Sequence, residues 1–229
     1  MSEASDVDSL AERLRRVHER VADAARSAGR DPRQLTTIVV TKFHPAAMVR
    51  ELAELGVRDF GENRAREAAV KASETSDLPL RWHFIGQLQT NKAKLVRGFA
   101  SAVHSIDRPA LADALGKDDR DLDCFVQLNL TDDPARGGVA RTGLEALAEH
   151  LLGTRGLRLR GVMAVAPLGE EPRRAFARVR EASDALRTIA PDADQISAGM
   201  SGDFEDAIAE GATHLRLGTA ITGKRPDHA

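Results

Sequence analysis

The chain has 229 residues, 42% of them apolar and 30% charged, with a formal charge of -2. That is an ordinary globular composition with enough length for a large core, and it argues against a nucleic-acid or anionic-membrane binder. The single Cys124 excludes an intramolecular disulfide and an Fe–S or zinc site built on thiolates, and the complete lack of Tyr excludes a phenol as acid or base.

The first predicted element is a helix. Val7, Leu10, Leu14, Val17, Val21 and Ala25 recur at three- and four-residue steps, and Gly29 with Asp31-Pro32 ends the run. A strand–helix alternation follows. Leu35 to Thr41 is short and β-branched, as a buried parallel strand should be, and Pro45 to Leu55 reads as a helix stopped by Gly56. Val57 to Phe60 is a second strand, with a helix from Glu62 to Ala72. Trp82 to Ile85 is a third, with a helix from Asn91 to Arg97. Ala102 to Ile106 is a fourth, and Asp107 and Pro109 supply a candidate cap and an early proline for a helix through Leu115.

Leu122 to Leu130 is the fifth strand; an Asp-, Gly- and Pro-containing loop then leads to a helix from Gly143 to Leu152. Leu157 to Val165 and a helix from Pro172 to Ile189 follow, then Gln195 to Ala198 with a helix from Phe204 to Glu210. Thr213 to Leu217 is the eighth strand, with a short final helix after it. Eight βα units in this length predict a single-domain (β/α)8 TIM barrel, an α/β fold with an extra N-terminal helix. The expected layout is a helix over 1–30, a barrel over 35–223 and a polar tail over 224–229. The acidic N-terminus lacks the apolar core of a secretory signal, and no apolar run approaches the ~18 residues of a membrane helix. The expectation is therefore a soluble, cytoplasmic protein.

In such barrels chemistry sits at the carboxyl ends of the strands. That rule collects Lys42, Asn63, His83 with Gln87, Ser105, Asn129, Met163, Ser197 to Ser201 and Arg216 to Thr219. Lys42 leaves the first strand in a chain with only six Lys against 27 Arg. An amine in a partly dry mouth attacks a carbonyl to form a Schiff base; the plain alternative is a strand-end lysine reaching solvent. Ser197-Ala198-Gly199-Met200-Ser201-Gly202-Asp203 and Leu217-Gly218-Thr219 follow strands seven and eight, where barrels bind phosphate. The alternative there is tight turns with Ser201 as a helix cap. Arg216 alternates with Leu215 and Leu217, so an inward guanidinium needs either a cofactor ring nitrogen or a structural carboxylate. His83 reads better as a satisfied core histidine, Asn63 has a cap as its alternative, and Met163 and Cys124 read as core. An amine, a phosphate cup and a cation for a pyridine nitrogen are three parts that pyridoxal phosphate (PLP) requires.

The motifs Val40-Thr41-Lys42, Phe60-Gly61-Glu62-Asn63 and the run His83-Phe84-Ile85-Gly86-Gln87-Leu88-Gln89-Thr90-Asn91-Lys92 stand beside His104-Ser105-Ile106-Asp107. With them come Leu159-Arg160-Gly161-Val162-Met163-Ala164, Gly199-Met200-Ser201 and Arg216-Leu217-Gly218-Thr219-Ala220-Ile221. In this combination the chain resembles the YggS/PROSC family of PLP-binding homeostasis proteins. The resemblance covers about Leu35 to Gly223 and implies a barrel of the alanine-racemase N-terminal type without the racemases' second domain. It implies PLP held as a Schiff base on Lys42, with Arg216 at the pyridine nitrogen and Asn63 beside the ring. It implies phosphate held among Ser201, Gly218 and Thr219, with Ser197 nearby. The chain departs from the family's usual residues at Thr41, His44 and Thr222.

The function so implied is carriage or buffering of PLP in vitamin B6 and amino-acid homeostasis, without established turnover, by a monomer that meets PLP-requiring apo-enzymes. Two alternatives stand beside it: a slow PLP-dependent racemase or lyase using Lys42 with His83 or water, and a phosphate-binding barrel without PLP. Racemases of this fold pair the lysine with a tyrosine, which this chain cannot supply.

Overall fold

The computed structural model describes residues 8–116, 120–131 and 133–223. Val7, the acidic N-terminus and the 224–229 tail lie outside them. Eight parallel strands close into one barrel in chain order, each bonded to its sequence neighbours and the eighth to the first. They are β1 (Thr36–Val40), β2 (Asp59–Glu62), β3 (Arg81–Phe84), β4 (Ala102–Ile106), β5 (Leu122–Gln127), β6 (Leu157–Met163), β7 (Gln195–Ser197) and β8 (His214–Leu217). The expected barrel is therefore present.

The helix α1 (Leu10–Ser27) opens with a reciprocal cap, in which Ser9 and Glu12 satisfy each other's backbone N–H. Its apolar stripe of Leu10, Leu14, Val17, Val21 and Ala25 is buried. The helices between the strands are α2 (Ala46–Glu54), α3 (Ala65–Glu74), α4 (Ala93–Phe99), α5 (Pro109–Leu115), α6 (Leu144–Leu152), α7 (Pro172–Arg187) and α8 (Phe204–Ala209), and α9 (Thr219–Thr222) follows β8. Arg13 donates to Ile221 O at 2.7 Å, and Arg30 to Ile208 O and Ala212 O at 3.0 and 2.6 Å. These bonds tie α1 to the wall formed by α8, β8 and α9.

Three local expectations need correction. The second strand runs from Asp59 to Glu62 rather than from Val57, because the Val57 N–H closes α2 on Leu52 O and is not free for the ladder. Asp107 is not the cap of α5: Arg108 occupies that position, and Asp107 pairs with the Arg108 guanidinium at 2.5 Å. Ser201 does not cap α8: Asp203 stands there, and its carboxylate turns back to accept from the Met200 N–H at 2.5 Å.

One close approach governs the wall opposite β1. Gly161 has φ +151°, and a Cβ there would lie 1.8 Å from Gln195 O. The β5–β6 register slips beside it, with Cys124 opposite Leu159 but Phe125 opposite Gly161. Only glycine lets β6 bulge there and still pair with β7.

Candidate active site

The carboxyl ends of β1, β2, β7 and β8 form one rim. Strand register brings the candidates to it: Val40 pairs with Gly61, Val39 with Leu217, and Ser197 with His214. Lys42, Asn63, Ser201 and Gly218-Thr219 therefore gather on one side of the mouth. Gln87 and Asn129 are occupied in the loops beyond β3 and β5. Gln87 donates to Ala135 O at 3.3 Å, and Asn129 bonds Thr131 and the Asp133 carbonyl. Met163 and Cys124 are buried, as expected, and burial pushes the Cys124 thiol far up.

Lys42 lies in the turn between β1 and α2, with its ammonium 5.9 Å from the centroid of the Phe43 ring. It is exposed, not partly dry as anticipated, because β1 ends at Val40 and the chain turns at once. Phe43 takes φ +70°, a conformation that costs a non-glycine residue roughly 1–2 kcal/mol. A buried ionic cluster holds the turn from beneath. The Lys71 ammonium donates to Thr41 O at 2.8 Å, Glu62 Oε1 at 2.6 Å and Glu67 Oε1 at 2.7 Å. Glu62 Oε1 also accepts from the Thr41 hydroxyl, and Glu67 Oε1 from the Phe43 N–H.

Both residues flanking Lys42 are thus clamped. Burial pushes the Glu62 carboxyl above its ordinary range, opposed by Lys71 and Thr41. Burial also pushes Glu67 upward, but its bonds from Lys71 and Phe43 prevail and hold it below that range. This cluster was not foreseen. The available signal was Lys71 itself, since a tripod of three acceptors suits an ammonium and not the planar fork of the chain's many arginines.

Asn63 is not a helix cap: Arg64 precedes α3, and the Asn63 side-chain oxygen is buried with no partner among the described residues. The backbone beneath it is fixed by Gly86, where a Cβ would lie 2.4 Å from Asn63 O. A buried acceptor without a donor is costly, which sets this oxygen apart from the bonded polar atoms of the rim. Ser105 Oγ is likewise buried and unpartnered.

Arg216 faces inward from β8 and is buried. Its Nη1 donates to Ser197 Oγ and its Nη2 to Ala164 O, both at 2.8 Å. No carboxylate among the described residues lies within ion-pairing distance of it, so the structural ion pair weighed for it is not its partner. Burial draws the guanidinium down to about 10, against the attraction of Asp203. It remains charged at neutral pH. Gly199 has φ +92° and lies so close to α8 that a Cβ would meet the Ala207 Cβ at 2.8 Å. At α9 the first-turn N–H groups of Thr219 and Ala220 have no helical carbonyl to bond, which suits an anion.

His83 is a satisfied core residue, as expected. Its two ring nitrogens meet His104 at 3.0 Å and Asp59 at 2.9 Å. Burial pushes Asp59 up, yet the bonds from His83 and Arg81 prevail and hold it at about 2.

Fold and rim together define a (β/α)8 barrel of the type that forms the alanine racemase N-terminal domain, and that family's model matches residues 6–226. More narrowly, the chain belongs to the family of pyridoxal phosphate homeostasis proteins. The protein of that name from Pseudomonas aeruginosa is 42% identical over 226 residues, covering 96% of this chain and 97% of its own. The one from Escherichia coli K12 is 37% identical, covering 96% and 98%. PipY of Synechococcus elongatus PCC7942, solved with PLP bound, is 36% identical, superposes with a TM-score of 0.81, and covers 94% of this chain and all of that one. Alanine racemase from Corynebacterium glutamicum shares the fold at a TM-score of 0.71 and 16% identity, over 62% of its length. No helix among the described residues is long and apolar enough to cross a membrane.

Proposed function

We propose that this protein binds PLP at the rim of β1, β2, β7 and β8 and carries or buffers it for PLP-requiring enzymes. The carrying observation is one rim holding an exposed amine at Lys42, an unpartnered buried oxygen at Asn63 and a caged cation at Arg216. The PLP found in PipY, and the homeostasis role that the relatives' names print, support the same reading. The residues fit the group. Lys42 is the amine for its aldehyde, Arg216 faces its ring nitrogen, and Asn63 offers an acceptor beside the ring. Ser201 with the backbone of Gly218 and Thr219 takes the phosphate. Bound PLP supplies an aldehyde carbon open to amines and a pyridine ring that draws electrons. Arg216 keeps its proton, so it bonds the ring nitrogen without protonating it.

Ser197 belongs behind Arg216, not at the phosphate, because its hydroxyl already joins Arg216 to His104. The racemase or lyase alternative requires an acid–base partner for Lys42. His83 is a poor one, with both ring nitrogens engaged inside the barrel, and the chain has no Tyr. We therefore assign carriage without turnover, by a monomer in the cytoplasm, where its single buried thiol is at home.

The test is an absorbance spectrum of the purified protein with added PLP, before and after borohydride, with Lys42→Ala alongside. The expected result is a visible band that borohydride bleaches, a peptide carrying reduced PLP at Lys42, and no band in the variant. A wild-type protein that is colourless once unbound PLP has been removed overturns the reading. Turnover of an amino acid well above that of free PLP overturns the carrier role alone.

A further inference from the structure

The polar contacts behind Arg216 do not end at Ser197. Ser197 Oγ meets His104 Nδ1 at 2.8 Å. His104 Nε2 meets His83 Nδ1 at 3.0 Å. His83 Nε2 meets Asp59 Oδ1 at 2.9 Å. Asp59 is braced in turn by Arg81 at 2.7 and 2.5 Å. Arg216 and Ser197 lie toward the carboxyl ends of β8 and β7, whereas Asp59 and Arg81 open β2 and β3. The run therefore crosses the barrel interior from the mouth to the opposite face. Phe125 stacks on the His104 ring with centroids 4.3 Å apart and fixes its plane.

Chemistry leaves one assignment of the protons above the ordinary imidazole range. Asp59 is ionised and only accepts, so His83 Nε2 carries a proton. A singly protonated His83 must then accept at Nδ1, so His104 Nε2–H donates. His104 is fully buried, and burial, with His83, His214 and Arg216 close by, keeps it neutral. Its Nδ1 therefore accepts, and the Ser197 hydroxyl must donate to it. That turns the lone pairs of Ser197 Oγ toward Arg216 Nη1. Asp59 thus decides, four hydrogen bonds away, what the buried guanidinium is offered.

We infer that Asp59, His83, His104 and Ser197 form a through-barrel positioning relay that orients Arg216 at the cofactor's ring nitrogen, an inference that rests on the PLP reading for its target. The relay has a second polarity. A second proton on His83 makes its Nδ1 a donor, so His104 Nε2 accepts and its Nδ1–H donates to Ser197 Oγ. The Ser197 proton then loses its acceptor, and Arg216 shares Oγ with a competing donor. The groups that set this step are Asp59 and Arg81 below, His104 above, and His214, whose ring centroid lies 6.4 and 6.2 Å from those of His83 and His104. Arg160 and Arg216 act from beyond them, through their charge on His214 and His104.

The experiment needs no cofactor at first. Nitrogen-15 spectra of the imidazoles in the PLP-free protein at pH 8 should show both His83 and His104 protonated at Nε2 with Nδ1 accepting. A His104 protonated at Nδ1 at pH 8, or a His83 unprotonated at Nε2, overturns the relay. PLP titration by absorbance then tests the target. His104→Leu should weaken binding by about tenfold at pH 8, the effect of misplacing one charge-assisted bond. His104→Gln, whose amide accepts from Ser197 and donates to His83, should stay within about twofold of wild type. Equal losses in the two variants, or none in His104→Leu, overturn the positioning role. A wild type with the assigned tautomers that takes up no PLP overturns the cofactor reading and, with it, the target.

Discussion

Replacing Lys71 by Met keeps an unbranched stem of similar length and removes the charge. Its consequence can be worked from the cluster. Glu62 is 0% exposed, and with Lys71 gone its only hydrogen bond comes from the Thr41 hydroxyl. Removing one partner of a buried pair costs ~3–5 kcal/mol, because the other charge stays behind. Against a net stability of ~5–15 kcal/mol, that is a large share of the whole.

The sign of the pH dependence follows from Glu62. Its folded value is already raised by burial, with Lys71 pulling the other way. Without Lys71 the carboxyl rises further. A raised carboxyl contributes its stability below the unfolded value of ~4.3 and loses it as pH climbs through the folded value. The variant should therefore lose ~3–5 kcal/mol at pH 8 and a smaller amount at lower pH, as the raised Glu62 carboxyl gains its proton. Urea unfolding followed by the fluorescence of Trp82, the only tryptophan, measures both values. A second change, Glu62→Gln, should recover most of the loss at pH 8. Lys71 no longer holds Glu67 in place to accept from the strained Phe43 N–H, so PLP uptake at Lys42 should fall in step. A loss equal at the two pH values, or below ~1 kcal/mol at pH 8, would refute the claim that this cluster holds the turn.

Two further outcomes follow from single contacts. Gly86→Ala places a Cβ 2.4 Å from Asn63 O and must displace that backbone, so PLP affinity by absorbance titration and the urea midpoint should both fall. Asp59 is held at about 2, so its stabilisation is complete above its unfolded value and lost as pH falls toward 2. Wild type should lose ~2 kcal/mol between pH 4.5 and 2.5 on this account. Asp59→Asn should show a flatter acid limb by chemical unfolding, and identical limbs would remove the argument.

The barrel was legible because its code is simple. Buried parallel strands such as Ile38-Val39-Val40 and Ala102-Val103 read as continuous apolar runs, and glycines punctuate them. The second strand misled for a definite reason. Its last residue, Glu62, is a buried carboxylate facing the helix layer, and only Lys71, nine residues on, makes that position tolerable. Hydropathy cannot register a charge whose partner lies on the next helix. At the rim, the sequence placed Lys42, Asn63 and Arg216 at strand ends, and the structure puts them there. The site was not legible where function depends on pairing across the barrel. Asp59, His83, His104 and Ser197 come from four strands, and each alone looks like an isolated polar residue in a core.

The two lysines and the arginine divide the work in a way that bears on carriage. Arg216 is buried and held by Ser197 Oγ and Ala164 O, so the residue proposed to meet the ring nitrogen is fixed by the protein's own bonds. Lys71 is equally fixed, but it spends all three donors on the turn. Of the three, Lys42 is the exposed one, on a turn whose flanking residues are clamped. A racemase needs its lysine held against one face of the substrate with water excluded. On the proposed reading, an amine left in solvent would keep its link to PLP within reach of water and of another protein's amine, while Arg216, already bonded in place, would receive the ring again. That division suits a protein that gives its cofactor away.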